Sequence, residues 1–261
     1  MPLMNYFIFD TQKHDQNQLS YYLIDEIASR LLEKLDFVNH SYQSILIDGF
    51  WSESAIQALI KRFSNSKIFY QVPKDFSLSS EFDEMTLIDT QAQSDIKFDL
   101  ILSNLYLHHF QTIESPLTQF MHLLSQDGCL FFTTIGPVTL FPQTSKIQRP
   151  NNWVDMHDFG DSLRKLLFKD PVMDAEVLKI SYQSQQQFSQ DLDMLCDILA
   201  INRLDKEHKK VLYMELELKN QTTMPVEIIY GHAWQQPLKQ VQSDNEVYIS
   251  LDQLKLTKNK P

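Results

Sequence analysis

Residues 98 to 104 read FDLILSN, a continuous apolar run of the kind that is buried on both faces of a parallel sheet. Residues 129 to 135, CLFFTTI, predict a second buried strand. The segment PLTQFMHLLSQ between them predicts a helix, with Ser115 as N-cap, Pro116 at the first helical position and Gly128 as a left-handed C-cap. This strand, helix and strand together predict a parallel crossover unit.

The same alternation continues toward the N-terminus. The segments SILIDG (44–49), KIFYQV (67–72) and MTLI (85–88) predict three more strands. Between the first two, SESAIQALIKRF predicts a helix with Ser52 or Ser54 as its N-cap. The first half of the chain is therefore βαβ-like.

An amphipathic helix is expected before these strands, over residues 19 to 36. Its expected apolar face carries Tyr22, Ile27, Leu31 and Leu35, with charged residues around the other side. We expect residues 1–40 to form an N-terminal helical segment and residues 41–261 an α/β domain.

The second half begins with a long connection. Residues 136–154, GPVTLFPQTSKIQRPNNWV, hold three prolines and no periodicity, which favours a functional lid loop. The remainder predicts a helix, a strand, one or two helices and a last strand, over residues 155–168, 175–182, 185–218 and 226–231.

Composition excludes several classes of function. The 261 residues include only 5 glycines, and no two lie two or five positions apart, which rules out GxGxxG and GxxxxGK[ST] phosphate loops. The net charge of −11 argues against a general nucleic-acid role. The two cysteines predict buried thiols and no disulfide framework, and the lack of a signal or membrane-spanning pattern predicts a cytoplasmic protein.

Several segments together resemble a known family. FDLILSNLYLHH, DMHDFGD followed by DPVMD, and YGHAW near the end are similar to class I S-adenosylmethionine-dependent methyltransferases, and within them to the malonyl-ACP O-methyltransferases of biotin synthesis. Similar segments occur in mitochondrial complex I assembly factors, some of which are arginine hydroxylases. The resemblance implies a Rossmann-like sheet, mostly parallel with a final antiparallel strand, that binds S-adenosylmethionine at the carboxyl ends of its strands.

The cofactor residues follow from this resemblance. Asp48 to Ser54 match the family's glycine-rich loop, but only Gly49 is kept and two large aromatics, Phe50 and Trp51, stand in the turn. Gln71 stands where the family has the acid that binds the ribose hydroxyls. The two other cofactor candidates are Asp89, for adenine, and Asn104, at the end of a buried strand.

The substrate residues leave alternatives open. His108 and His109 are candidate substrate contacts at the pocket edge, or ordinary histidines at a helix start. Lys146 and Arg149 in the lid loop are candidates for meeting an acidic acyl carrier protein, or else belong to a solvated loop.

A group of acidic residues and a histidine invites a metal site, but we favour helix capping and close packing at Gly160. The group consists of Asp155, His157, Asp158 and Asp161.

Two functions remain open at this stage. The first is methyl transfer from S-adenosylmethionine to the free carboxylate of a malonyl thioester. The second is a degenerate, non-catalytic relative that acts as a binding or assembly partner, because Phe50 and Trp51 would have to vacate space that glycines provide in the family.

Overall fold

The computed structural model describes residues 19–38, 40–71, 84–89, 95–139, 153–181, 191, 195, 198–200 and 223–235. Seven strands form one sheet: β1 Ser44–Gly49, β2 Lys67–Gln71, β3 Met85–Ile88, β4 Phe98–Asn104, β5 Leu124–Ile135, β6 Lys169–Ser181 and β7 Thr223–Trp234. Four α-helices and two short 3₁₀ helices accompany them: α1 Leu19–Lys34, α2 Glu53–Arg62, α3 Glu114–Leu123, α4 Met156–Lys165, and the 3₁₀ helices Leu35–Phe37 and Leu107–His109.

The strand order is β3-β2-β1-β4-β5-β7-β6. Strands β1 to β5 pair in parallel, and β7 runs antiparallel to both β5 and β6. The predicted Rossmann-like sheet, mostly parallel with a final antiparallel strand, is therefore confirmed. In such a sheet the carboxyl ends of the parallel strands lie along one edge, which is the usual ligand side.

Strand β4 lies at the centre of the sheet and is buried on both faces. Leu100 and Leu102 pack into a cluster with residues of α1 and α2, whereas Ile101 faces the opposite cluster with residues of α3 and α4. All three side chains have no exposed surface. Because both faces are covered by helices, these three successive positions all need apolar residues, which explains the apolar run in the middle of the strand.

Helix α1 corrects one detail of the predicted apolar face. Ile27, Leu31 and Leu35 are buried as expected, but Tyr22 is 53% exposed. Tyr22 lies five residues before Ile27, which turns it well off the stripe of a helix with 3.6 residues per turn. Leu23, four residues before Ile27, occupies the buried position instead.

The ends of α3 differ from the prediction. The helix begins at Glu114 with Ile113 as an N-cap that makes no side-chain bond, so Ser115 is not the cap. At the other end the left-handed residue is Asp127, with φ of 61°, and not Gly128. Gly128 is needed for a different reason, since a Cβ there would lie 2.8 Å from the Phe98 carbonyl oxygen.

The second half follows the prediction with shifted boundaries. Helix α4 and strands β6 and β7 are present, but β6 begins at Lys169 rather than at residue 175. Most of the predicted lid loop (140–152) and most of the predicted helical region 185–218 lie outside the described residues. Among the described helices, none has the length and apolar character to cross a bilayer.

Candidate functional site

A tight turn follows β1 at the carboxyl edge of the sheet. Gly49 has φ of 90°, and a Cβ there would lie 2.1 Å from the Asn104 carbonyl oxygen. Helix α2 starts directly after the turn, with Ser52 as N-cap accepting a hydrogen bond from the Ala55 amide at 3.1 Å. The left-handed backbone and the close approach to β4 both require glycine at position 49.

The two aromatic residues of the turn are packed inside the protein. Trp51 is 1% exposed, lies in the cluster between the sheet and helices α1 and α2, and donates from Nε1 to the Asp48 carbonyl at 2.8 Å. Phe50 is 2% exposed and packs edge-on to Tyr106 and against His109, with ring centroids 6.3 and 5.1 Å apart. The two large side chains of this turn therefore serve as core residues.

A buried carboxylate lies at the end of β1. Asp48 is 2% exposed, and its Oδ1 accepts a hydrogen bond from Gln71 Nε2 at 2.9 Å. Its Oδ2 accepts from Ser103 Oγ at 3.2 Å. Burial raises the pKa of Asp48 to about 6, although these hydrogen bonds oppose the shift. The contacts join the carboxyl ends of β1, β2 and β4 through polar side chains.

Asp89 lies beside this group at the edge of the sheet. It follows β3, whose last residue, Ile88, pairs with Gln71 of β2, and its side chain is exposed. Three of the predicted cofactor residues, Asp48, Gln71 and Asp89, thus lie at the carboxyl ends of three adjacent strands.

Asn104 has a different environment from these residues. It has no exposed surface, its Nδ2 donates to the Phe50 carbonyl at 2.7 Å, and its Oδ1 accepts from Thr133 Oγ1 at 2.6 Å. Its amide therefore holds the turn after β1 against β4 and β5. Sequence reasoning missed Ser103 and Thr133, although small polar residues near the ends of otherwise apolar strands were a usable signal.

The two neighbouring histidines, His108 and His109, have different environments. His108 is fully buried, with Nε2 2.7 Å from the Ile198 carbonyl and Nδ1 3.2 Å from Thr134 Oγ1. Because a carbonyl only accepts, Nε2 carries the proton and Nδ1 accepts from the threonine hydroxyl. Burial holds the pKa of His108 well below its usual value. His108 is thus a neutral core residue.

His109 lies closer to the surface. It is half-buried, stacks on Tyr106 with centroids 5.7 Å apart, and approaches the Ile198 carbonyl through Nε2 at 3.3 Å. Of the two histidines, only His109 has surface that a bound molecule can reach. Lys146 and Arg149, the two lid-loop candidates, lie outside the described residues.

Asp155, the first residue of the acidic group at α4, caps this helix, which confirms the predicted capping. Asp155 is the N-cap, and its Oδ1 accepts from the His157 backbone amide at 2.8 Å and lies 2.7 Å from His157 Nδ1. These two hydrogen bonds hold the pKa of Asp155 below its ordinary value. The predicted close packing at Gly160 is wrong, because a Cβ there would meet only Met173 Cγ, at an ordinary 3.5 Å. In the described part of the chain, no three potential ligand residues are grouped to hold a metal ion.

Comparisons with known proteins identify sequence relatives of this chain and a solved structure with a similar fold. No protein-family model matches the sequence. A Coxiella burnetii protein named malonyl-[acyl-carrier protein] O-methyltransferase 1 is 31% identical over 248 residues, covering 87% of each chain. A Methylovorus protein with the same enzyme name is 25% identical over 80% of this chain and 81% of its own. A solved structure of a candidate methyltransferase from Bacillus halodurans matches 80% of this chain and 99% of its own, with a TM-score of 0.52 and 12% identity.

Proposed function

This chain belongs to the malonyl-[acyl-carrier protein] O-methyltransferase family, and on that premise we propose that it methylates the free carboxylate of a malonyl thioester carried by an acyl carrier protein. The observation that carries the proposal is the identity of 31% over 87% of both chains. The methyl donor in this proposal is S-adenosylmethionine, and the partner is the acyl carrier protein. The reaction would belong to biotin synthesis and would take place in the cytoplasm.

The reaction makes modest chemical demands on the protein. S-adenosylmethionine would supply a methyl group on its sulfonium. In the in-line transfer, a malonyl carboxylate oxygen would form a C–O bond to the methyl carbon while the C–S bond breaks and its electron pair returns to sulfur, which leaves S-adenosylhomocysteine. The malonyl carboxylate is already ionised at neutral pH, so no general base is required. The protein must therefore position two reactants and exclude water, and a site without a buried catalytic base is consistent with this chemistry.

The described residues fit such a donor at the carboxyl edge of β1, β2 and β3. Gly49 forms the left-handed turn, Gln71 presents a half-buried amide supported by Asp48, and Asp89 follows on the next strand. The substrate side of this proposal consists of His109 at the surface, backed by His108, together with Lys146 and Arg149. The cationic side chains of Lys146 and Arg149 would form ion pairs with the malonyl carboxylate or with the acidic carrier protein.

The non-catalytic alternative depended on the bulk of Phe50 and Trp51. Both rings are packed in the core, so their size alone is no argument that they fill a cofactor site. The curated relatives described above both carry the name of the enzyme, and no observation favours a purely structural partner.

Calorimetric titration with S-adenosylmethionine and with S-adenosylhomocysteine tests the donor. We expect saturable binding of both. The companion assay follows transfer of a radiolabelled methyl group to malonyl-acyl carrier protein, with the same carrier bearing malonyl methyl ester as the control whose carboxylate is blocked. We expect label on the first carrier alone. Absence of heat and of any thermal shift with either nucleoside would overturn the proposal.

Complementation tests the biological setting. Expression of this chain in a biotin-requiring strain that lacks its own methyltransferase should restore growth without biotin. Active enzyme in vitro with no rescue in the strain would place the reaction outside biotin synthesis.

A further inference from the structure

A half-buried histidine lies at the end of β4, beside the turn that follows β1. His109 is the last residue of the 3₁₀ helix after β4, and its ring stacks on Tyr106 with centroids 5.7 Å apart. It also packs against Phe50 of that turn, with centroids 5.1 Å apart. A Cβ placed on Gly49 would lie 2.9 Å from the Cβ of Tyr106. His109 is therefore separated from the turn by a single layer of side chains, at the carboxyl edge of the sheet.

The carbonyl that this histidine contacts lies at the end of a helical turn. The Leu199 amide donates to the Leu195 carbonyl at 3.0 Å, and Ala200 has φ of 55°, the left-handed conformation typical of a residue just past a helix end. The last carbonyls of a helix have no partner within it and carry the negative end of its dipole. Here side chains supply the donors: Trp153 Nε1 donates to the Leu199 carbonyl at 3.1 Å, and both neighbouring histidines approach the Ile198 carbonyl.

His108 and His109 share the Ile198 carbonyl but differ in the charge they can carry. The Nε2 atoms of the two rings lie 2.7 and 3.3 Å from it, and one carbonyl oxygen can accept from both. Burial, and after it the charge of His109, hold the pKa of His108 well below its usual value. A positive charge on this pair therefore belongs on His109, which has surface in contact with water and faces the negative end of the helical turn.

We propose that His109, as an imidazolium, donates a hydrogen bond to the free carboxylate of the malonyl group and thereby selects the acyl group that is methylated. This inference rests on the proposed function, and it leaves the lid-loop cations to the acidic carrier protein. A charge-assisted hydrogen bond to one carboxylate oxygen is strong and directional, so it can hold the other oxygen toward the methyl donor. The methyl ester product carries no charge, so the same contact weakens once the reaction is complete.

The described groups around His109 are compatible with one positive charge. The titratable side chains next to it are His108, which is neutral, and Tyr106, which is also uncharged because burial and then the charge of Asp48 raise its pKa. The segments packed against the ring from the other elements contribute the apolar ring of Phe50 and the Ile198 carbonyl. None of these groups is a second cation that would compete for the carboxylate.

Equilibrium binding of two carriers tests the inference. Malonyl-acyl carrier protein and the same carrier bearing malonyl methyl ester are titrated into enzyme saturated with S-adenosylhomocysteine. We expect the wild type to bind the free carboxylate about tenfold or more tightly than the ester. His109→Phe keeps a ring against Tyr106 and Phe50 but has no donor, so it should bind the two carriers within about threefold of each other.

The pH dependence of this preference is a second readout. In the wild type the preference should decline as the pH rises and the imidazolium gives up its proton. His109→Gln keeps a neutral donor, so a smaller preference should remain, and it should not change with pH. A residue that only packs the core would produce no such difference between glutamine and histidine.

The matched control is His122→Phe, the same change at an exposed histidine of α3. It should keep the wild-type ratio between the two carriers at every pH. Both His109 variants should bind S-adenosylhomocysteine within about threefold of the wild type, because the proposed contact is with the acceptor. If His109→Phe loses this binding, the pH profile of His109→Gln decides the question.

The results separate the inference from the proposed function. If the wild type prefers the free carboxylate and His109→Phe keeps that preference, or the pH dependence survives in His109→Gln, the role of His109 is wrong and the enzyme proposal stands. A wild type that methylates malonyl-acyl carrier protein but binds acid and ester equally also overturns the inference alone. If the wild type binds neither S-adenosylhomocysteine nor the malonyl carrier, both proposals fail.

Discussion

Phe50 and Asn104 exchange two hydrogen bonds. The Phe50 amide donates to the Asn104 carbonyl at 2.8 Å, and Asn104 Nδ2 donates to the Phe50 carbonyl at 2.7 Å. Thr133 on β5 donates to Asn104 Oδ1 at 2.6 Å. The turn after β1 is therefore tied to β4 and β5 by a buried network in which each amide atom of Asn104 has a defined role.

Replacing Asn104 by aspartate should break this network. The carboxylate cannot donate to the Phe50 carbonyl, so a buried charge would face an acceptor. We expect a loss of about 3 kcal/mol or more in the free energy of unfolding at neutral pH. Part of it should return in mild acid, where the carboxyl group becomes a donor. Urea denaturation measures the effect, and Asn65→Asp on the exposed turn after α2 should change stability by less than about 0.5 kcal/mol. Equal effects in both variants would contradict the network.

Gly49 and Gly160 should respond in opposite ways to alanine. At Gly49 the new Cβ would lie 2.1 Å from the Asn104 carbonyl oxygen at a φ of 90°, so we expect Gly49→Ala to cost more than about 4 kcal/mol or to prevent folding. At Gly160, inside α4, the nearest atom is 3.5 Å away, so alanine should raise stability by up to about 1 kcal/mol. Thermal denaturation of the two variants distinguishes them, and similar melting temperatures would refute the expectation.

Replacing Trp51 by glycine should damage the protein. The Trp51 ring fills the cluster between the sheet and helices α1 and α2, and Trp51→Gly leaves a cavity there. We expect a loss of about 3–5 kcal/mol in unfolding free energy with no tighter binding of S-adenosylmethionine. Phe37→Gly is the matched control, because Phe37 is 88% exposed and should cost about 1 kcal/mol or less. A stable Trp51→Gly variant with improved binding would show that the ring blocks the site.

His108 should make the protein less stable in mild acid. Because burial lowers its pKa in the folded state, the unfolded chain takes up the proton first as the pH falls. Its contribution is fully present above the ordinary pKa of about 6.5 and is lost progressively below it. His108→Gln should reduce stability at neutral pH but flatten its fall between about pH 7 and 5. His122→Gln, an exposed histidine on α3, should leave the slope unchanged. An unaltered slope in His108→Gln would contradict the neutral buried state.

Asp48 should have the opposite effect and make the protein more stable as the pH falls. Its pKa rises from 3.8 to about 6 on folding, so the folded state takes up the proton first and stability increases as the pH falls through this range. The difference corresponds to about 3 kcal/mol at most. Asp48→Asn should therefore compare most favourably with wild type at about pH 8 and least favourably at about pH 4. The control is Glu33→Gln, an exposed carboxylate on α1. A constant difference between Asp48→Asn and the wild type would argue against a buried, perturbed acid.

Local sequence patterns predicted most of the architecture. The run FDLILSN was predicted to be buried on both faces of a parallel sheet, and the structure confirms it, because a strand with helices on both faces needs apolar residues at successive positions. Element boundaries were less certain, since Gly128 carried the signal of a left-handed cap while Asp127 adopts that conformation. Close approach to the Phe98 carbonyl, a contact between distant segments, decides that glycine instead.

The sequence by itself determined which segments form strands and helices, and it placed Asp48, Gln71 and Asp89 at strand ends, because periodicity and turn chemistry are local properties of a chain. It also determined the family. Only the tertiary structure decided what those residues do. In the folded protein Phe50 and Trp51 are buried in the core, and the amide of Asn104 donates to the turn after β1. Burial keeps His108 neutral, and Asp48 accepts a hydrogen bond from Gln71. These roles depend on burial and on hydrogen bonds between segments far apart in sequence, and such contacts exist only after the strands have paired.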